Sequence, residues 1–325
     1  MASEDKIISA SRAKTLETCS WTYWCNYHLK LPQKQNEGAL RGTIVHLVFE
    51  LLLKGRHLKH FKAIDQNFCI SASTGVNTLV KKLCKQFEEK YDLPMTSQEN
   101  YDLIDKMIVV GLKYDFFGKG GKVIEPEYEF LIDNENPRYK VRGFIDKPIR
   151  YEDGSIKIVD YKSSKKKFSK DELDGNLQAM IYSLASRKFW PEYKPKVEFL
   201  FLRFPKSPSQ ELEFTDEELT GLEHYLAHVY EMINNFTEED AKSNYAKNKD
   251  GYQWLCKAGR TWRCPYIDPF DYYAIKNKDG KVIKSSFKND LTPKEDETLE
   301  KLKYEGCPAW PTQQQQEEIK DFFDF

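Results

Sequence analysis

Two aspartates and a lysine lie close together in the stretch Val141 to Ser164, VRGFIDKPIRYEDGSIKIVDYKSS. Asp160 and Lys162 are two apart, so on a strand they face the same side. Asp146 ends the pattern Gly143-Phe144-Ile145-Asp146, and the Asp153-Gly154 pair between the two patterns is a strong hairpin signal that brings the strand ends together. Clustered carboxylates repel one another unless a hard divalent cation neutralises them, and carboxylates with open water positions suit Mg²⁺ or Mn²⁺. A lysine beside them can orient or help deprotonate a water, or stabilise charge on a phosphate. The bland alternative is an edge hairpin with a solvated Asp and Lys.

Other elements must bring partners to this hairpin. Gly42, His46 and Glu50 recur every four residues in an otherwise apolar segment and share one helix face. His46 is either a satisfied core histidine or a metal ligand with Glu50 as its orienting acid. Lys122 to Ile132 alternates like a strand, with Glu125, Glu127 and Glu129 on one face, solvated or with one acid turned to a metal. Ser169-x-x-Glu172 is a capping box that opens a helix to about Lys188, and Gln178 and Tyr182 lie one turn apart on it. Gln can hydrogen-bond a base or phosphate, and Tyr can stack, unless the pair is incidental to an amphipathic face.

The remaining patterns read as scaffold. Ser9 to Leu31 predicts a packed helix, 75–118 two helices separated by Pro94, Lys196 to Phe204 a buried strand, and Thr215-x-x-Glu218 the start of a helix to about Phe236. His224 and His228 have zinc spacing, but Tyr225 stands where a metalloprotease needs glutamate, so they are assigned to packing. Residues 276–307 read as hydrophilic, and 311–325 as a Gln-rich linker with an acidic, Phe-terminated tip.

Composition bounds the class. A 325-residue chain with 40% apolar and 14% aromatic residues can bury a substantial core. No apolar run nears the ~18 residues of a membrane span, and the N-terminus lacks a signal-peptide core, so a soluble, cytoplasmic protein is expected. Seven cysteines suit a reducing compartment. The net charge of −1 hides local basic runs at 54–62 and at 162–170, the latter with Lys165, Lys166 and Lys167.

The ordered set Gly42-x-x-x-His46, Gly143-Phe144-Ile145-Asp146, Asp160-Tyr161-Lys162 and Gln178-x-x-x-Tyr182 resembles the RecB-like exonuclease branch of the PD-(D/E)XK nuclease superfamily. The resemblance covers about residues 9–204 and implies an α/β (α+β) fold, a mixed central sheet flanked by helices. It implies that His46, Asp146 and Asp160 bind Mg²⁺ or Mn²⁺, with the Tyr161 carbonyl a further candidate. Lys162 would be the catalytic lysine, Gln178 and Tyr182 would contact nucleic acid or organise the site, and Glu125 or Glu127 would be the upstream acid. Lysines 165–167 and Tyr182 would then grip a strand.

Relatives in that branch often carry an iron–sulfur cluster on one N-terminal cysteine and three that follow the core. Cys19, Cys256 and Cys264 match three positions; the last is missing, leaving Cys25 or Cys307 to substitute, or else reduced, packed cysteines. The expected organisation is a nuclease core over 1–240, a Cys/aromatic region over 241–310 and a tail over 311–325. The tail resembles those of phage single-stranded-DNA-binding proteins, which suggests a replication partner, a phage source and the host cytoplasm. The leading expectation is a metal-dependent DNA exonuclease in replication, recombination or repair. A structure-specific endonuclease or a nucleic-acid-binding module of a replication or recombination assembly is the alternative.

Overall fold

Short polar side chains that take up orphan N–H groups decide where most of the helices begin. Residues 6–55, 57–256 and 263–310 are described by the computed structural model. Ser9 accepts from the Arg12 N–H and opens α1 (Ala10–Thr18); extended backbone at Cys19 ends it and precedes α2 (Ser20–Tyr27). The single helix expected over 9–31 is therefore two, broken at a cysteine. Asn36 caps α3 (Glu37–Lys54), which is followed by α4 (Leu58–Asn67). Ser73 caps α5 (Thr74–Tyr91) and Ser97 caps α6 (Gln98–Lys113), the two helices expected on either side of Pro94.

The strand region begins with β1 (Gly121–Val123), β2 (Tyr128–Glu135) and β3 (Arg138–Ile145). It continues with β4 (Lys147–Tyr151) and β5 (Ser155–Lys162). Two expectations change here. The strand expected over 122–132 is interrupted, because Pro126 lacks an N–H and Glu127 takes a left-handed φ of 54°. The arm that pairs across Asp153-Gly154 is β4, while β3 pairs with β2 in a separate ribbon. Burial alternates along β3 and becomes continuous in β4, and Asp146 sits at the break between them. Gly154, at φ 80°, supplies the turn.

After β5 come α7 (Lys170–Asp174) and α8 (Leu177–Phe189). The capping box at Ser169 and Glu172 is present, but it governs only α7; Asn176 caps α8 anew, one helix having been expected. The crossover returns the chain to β6 (Lys194–Phe201), parallel to β5, followed by β7 (Ser209–Leu212). The main sheet has the order β1-β4-β5-β6-β7, mixed in direction. Its core joins Ile44, Val45, Val48 and Phe49 of α3 to Ile104 and Ile108 of α6 and to Val159, Tyr161 and Leu200 of the two parallel strands. Burial on this scale, about 1.5–3 kcal/mol per large apolar side chain, fixes α3 over the sheet.

The chain continues through α9 (Asp216–Asn235) and α10 (Glu238–Ala241). β8 (Phe270–Lys276) leads into the stretch expected to be hydrophilic, 276–307, which holds β9 (Val282–Ser286) and β10 (Thr298–Tyr304); the three form an antiparallel sheet. Its exposed sides carry cross-strand pairs, Lys276 with Glu300 at 2.6 Å and Lys301 with Asp271 at 2.7 Å, which make the sequence look polar. The described residues divide into two compact units, one within 35–228 and the other made of the N-terminal helices with the region from 229 onward. The proposed tail over 311–325 lies outside the described residues. Among the described residues no helix is long and apolar enough to cross a membrane.

Candidate functional site

The fold of unit 35–228 brings His46 of α3, Asp146 at the β3–β4 break and Glu127 of the preceding turn together. One ligand atom from each lies within 4.8 Å of the others. His46 Nδ1 is 3.5 Å from Asp146 Oδ2 and 3.9 Å from Glu127 Oε1, while its Nε2 is 3.0 Å from the Tyr161 carbonyl oxygen. The Tyr161 N–H donates to Asp146 Oδ2 at 2.7 Å, so one residue of β5 holds both the imidazole and the carboxylate. Glu127, not Glu125, is the acid that reaches this group; Glu125 is exposed, and Glu129 pairs with Arg142. Glu50 bonds Lys54 at 2.7 Å, and the Tyr161 carbonyl takes the orienting role expected of it.

Asp160 and Lys162 form the adjoining half. Asp160 Oδ1 accepts from Gln178 Nε2 at 2.9 Å and from the Tyr182 hydroxyl at 3.0 Å, and Lys162 Nζ lies 2.6 Å from Asp160 Oδ2. Lys162 also donates to Gln178 Oε1 at 2.7 Å, so the two ends of one amide fix the acid and the amine. Gln178 reaches both because Asn176 starts α8 just before it. Tyr182 is 5% exposed, which makes it an organiser of this network and leaves no ring face for stacking a base. Lys165 and Lys166 are exposed, and Lys167 lies 3.4 Å from the Ser207 hydroxyl.

The electrostatics are those of crowded acids. Burial works against a charge on His46, yet Asp146, Asp160 and Glu127 together lift its pKa to about 9. Burial and then Asp146 push Glu127 up to about 7, and the same two causes raise Asp160 against the pull of Lys162 and His46. Asp160 Oδ2 is buried without a hydrogen bond of good geometry, its contact with Lys162 being an ion pair only. One imidazole, several carboxylate oxygens and a carbonyl form a donor set that fits a Mg²⁺- or Mn²⁺-sized hard cation.

The model of the PD-(D/E)XK nuclease superfamily matches residues 7–268. The chain belongs to that superfamily. This PD-(D/E)XK protein is 24% identical over 249 residues to a subunit of an ATP-dependent helicase/deoxyribonuclease from Streptococcus agalactiae, covering 73% of this chain and 22% of that protein. It is 22% identical over 308 residues to the like-named subunit of Streptococcus uberis, covering 85% of this chain and 26% of the relative. It therefore spans about a quarter or less of the length of these curated relatives. A Eubacterium rectale crystal structure described as "Putative exonuclease" aligns with TM-score 0.48 and 13% identity, over 80% of this chain and 91% of that one. PD-(D/E)XK nucleases use divalent metals, and the His46, Glu127, Asp146 group is the set within 4.8 Å among the described residues.

The other unit of this PD-(D/E)XK protein carries a cavity of about 440 Å³ whose lining includes Cys19, Cys256, Cys264 and Cys307. Cys19 lies at the α1–α2 break, and Cys307 follows β10. The Cys307 N–H donates to the Ile267 carbonyl at 3.1 Å, and the Cys264 N–H to the Cys256 carbonyl at 2.9 Å, which tie the three C-terminal cysteines together. Cys25, the other possible substitute, is fully buried and bonds the Tyr304 hydroxyl instead. Burial pushes the Cys264 thiol up to about 11 and Cys307 to about 12. Among the described residues no three of these thiols fall within 4.8 Å of one another, too open for one tetrahedral ion.

Proposed function

We propose that the chain is a metal-dependent deoxyribonuclease that hydrolyses phosphodiester bonds as an exonuclease on single-stranded DNA or DNA ends, in replication, recombination or repair. The observation that carries this reading is the Gln178 amide clamping Asp160 and Lys162 beside the His46, Glu127 and Asp146 group. Of the relatives' name, deoxyribonuclease is the part that this site supports.

Asp146, Glu127 and His46 would hold the cation, with Asp160 and the Tyr161 carbonyl next to them. A divalent cation, Mg²⁺ or Mn²⁺, would neutralise the phosphate and acidify water there. Lys162, its rotamer fixed from two sides, would orient the attacking water in line with the scissile bond and donate to a non-bridging phosphate oxygen. Asp160 would balance the ammonium, and Tyr182 with Gln178 would keep Asp160 from turning away.

The test is digestion of end-labelled single- and double-stranded oligonucleotides with Mg²⁺, Mn²⁺ or EDTA, with covalently closed circles as a control for endonuclease action. Release of short products from linear strands, blocked by EDTA and lost in Asp160→Ala and Lys162→Ala, is expected. Undiminished cleavage by both variants would overturn the site.

A second proposal concerns the thiols: Cys19, Cys256, Cys264 and Cys307 would hold an iron–sulfur cluster, because all four line one cavity. Iron and sulfide in protein purified without oxygen, lost in Cys307→Ser and kept in Cys25→Ser, would support it. A preparation that takes up neither after reconstitution would sink it.

A further inference from the structure

Gly42 of α3 lies against the residue that follows Lys162: a Cβ built on it would come within 2.7 Å of the Ser163 hydroxyl. The residue before it, Arg41, is 8% exposed and donates to the Oδ1 of Asn100, which is itself fully buried. Asn100 is fixed in turn, its Nδ2 donating to Glu37 Oε2 at 2.7 Å and to the Pro94 carbonyl at 2.8 Å. Glu37 stands 3.6 Å from the guanidinium, outside hydrogen-bond range. A buried arginine held by a neutral amide and only loosely by an acid is costly unless something else shares its charge.

The turn beside it adds to the excess. β6 runs parallel to β5, and the Leu202 N–H donates to the Lys162 carbonyl at 2.9 Å, so the turn after β6 sits beside the end of β5. Arg203 is the next residue in that turn, half-buried, with no carboxylate within ion-pair distance among the described residues. Burial depresses the Arg41 pKa, Glu37 opposes that, Arg203 depresses it further and Glu99 opposes it. Glu37 and, more weakly, Glu99 answer Arg41 on α3, whereas Arg203 at the carboxyl end of β6 lacks such a partner among the described residues, so an anion beside that turn would satisfy its guanidinium. Guanidinium forks match phosphate oxygens, and the neighbouring nuclease centre requires a phosphodiester chain to pass nearby.

We propose that Arg203, backed by Arg41, forms a phosphate-binding notch that grips a backbone phosphate of the nucleic-acid strand on the Lys162–Ser163 side of the cleavage centre. The ligand class rests on the nuclease reading. The notch would set how far the strand is threaded, and so act on substrate positioning.

The test is binding of a labelled single-stranded oligonucleotide to the full chain in EDTA and in Ca²⁺, over a range of salt, for wild type, Arg203→Gln and Arg203→Lys, with thermal midpoints compared. Loss of about tenfold in affinity and a fall of about 0.7 in the salt slope are expected for Arg203→Gln, with Arg203→Lys restoring the slope. Arg41→Lys, which keeps the charge but not the fork, should weaken binding without changing the slope. Equal affinity and slope for wild type and Arg203→Gln, or no binding by wild type in either condition, would overturn the notch. Cleavage with Mn²⁺ is measured in parallel: intact cleavage with an indifferent Arg203→Gln removes the notch alone. Arg203-dependent binding by a chain that never cleaves keeps the notch and removes the nuclease reading alone.

Discussion

The acid cluster of unit 35–228 and the thiol cluster of the other unit both gather side chains able to hold a metal, but only in the first are acids and bases interlocked at ion-pair distance. His46 and Lys162 stand among Asp146, Asp160 and Glu127; backbone and amide hydrogen bonds hold the first four, and Glu127 Oε1 lies 3.9 Å from His46 Nδ1. Such contacts hold the site without a cation, and under the proposed function a cation there would serve turnover rather than folding. The thiols line a cavity of about 440 Å³, and the three C-terminal ones are tied together by backbone hydrogen bonds, so a metal centre there would act on stability as well as on chemistry. Ligand removal should therefore separate the two units.

The largest effect expected is on turnover. Lys162→Ala and Asp160→Ala should each lower the DNA cleavage rate by at least about 10²-fold with a thermal midpoint close to wild type, measured by product release and by calorimetry. A large drop in the midpoint would make the network structural and would blur the contrast. Next, Cys307→Ser should abolish bound iron and lower the midpoint by several degrees, whereas EDTA that stops cleavage should leave both nearly unchanged. If cysteine and chelator effects coincide, the two centres are not independent.

A smaller effect is expected from Gly42→Ala. The added methyl meets the Ser163 hydroxyl at 2.7 Å, so α3 or the β5 end must shift by a few tenths of an ångström. Cleavage should fall about tenfold, mostly in kcat, since misplacement of reacting groups is costly. An unchanged kcat would show that the α3–β5 spacing is not critical.

The smallest concerns scaffold charge. Glu223 accepts from the Tyr139 hydroxyl at 2.7 Å and pairs with Lys188 at 3.0 Å; burial works to raise its pKa, but these partners hold it below the usual glutamate value. A depressed folded pKa gives stability that is fully present above the unfolded value, about 4.3, and is lost as pH falls through the folded one. Glu223→Gln should therefore destabilise at neutral pH and flatten the acid limb of a melting-temperature profile. A parallel acid limb in both proteins would remove this role.

Much of the candidate centre was legible because chemistry-bearing residues sit at fixed spacings on regular elements. His46 follows Gly42 by one helical turn, Lys162 follows Asp160 by one strand repeat, and the Asp153-Gly154 turn is where the sequence puts it. Less legible were features that depend on irregular backbone. Glu127 enters the site through a left-handed residue after Pro126, which strand alternation hides although the proline itself is a breaker signal. The β3–β4 break at Asp146-Lys147-Pro148 separates two segments that both read as strand, and the structure shows it as a change of partner strand. β8 to β10 were missed because their lysines and acids pair across strands and mask the apolar side. Cys307 became distinguishable from Cys25 only through tertiary placement, since neither has close sequence spacing to Cys264.

The aromatic side of α2 has a consequence for how the molecule is made. Trp21 donates to the Tyr304 hydroxyl at 2.7 Å, and Cys25 packs with Tyr266 and Tyr304. Tyr304 is translated 283 residues after Trp21. At about 5–20 residues per second on the ribosome, the nascent α2 waits on the order of tens of seconds for it. During that interval its indole and thiol surface is exposed to whatever else is in the cell, which makes this segment a natural client for holding chaperones and the first place to look when expression yields aggregates.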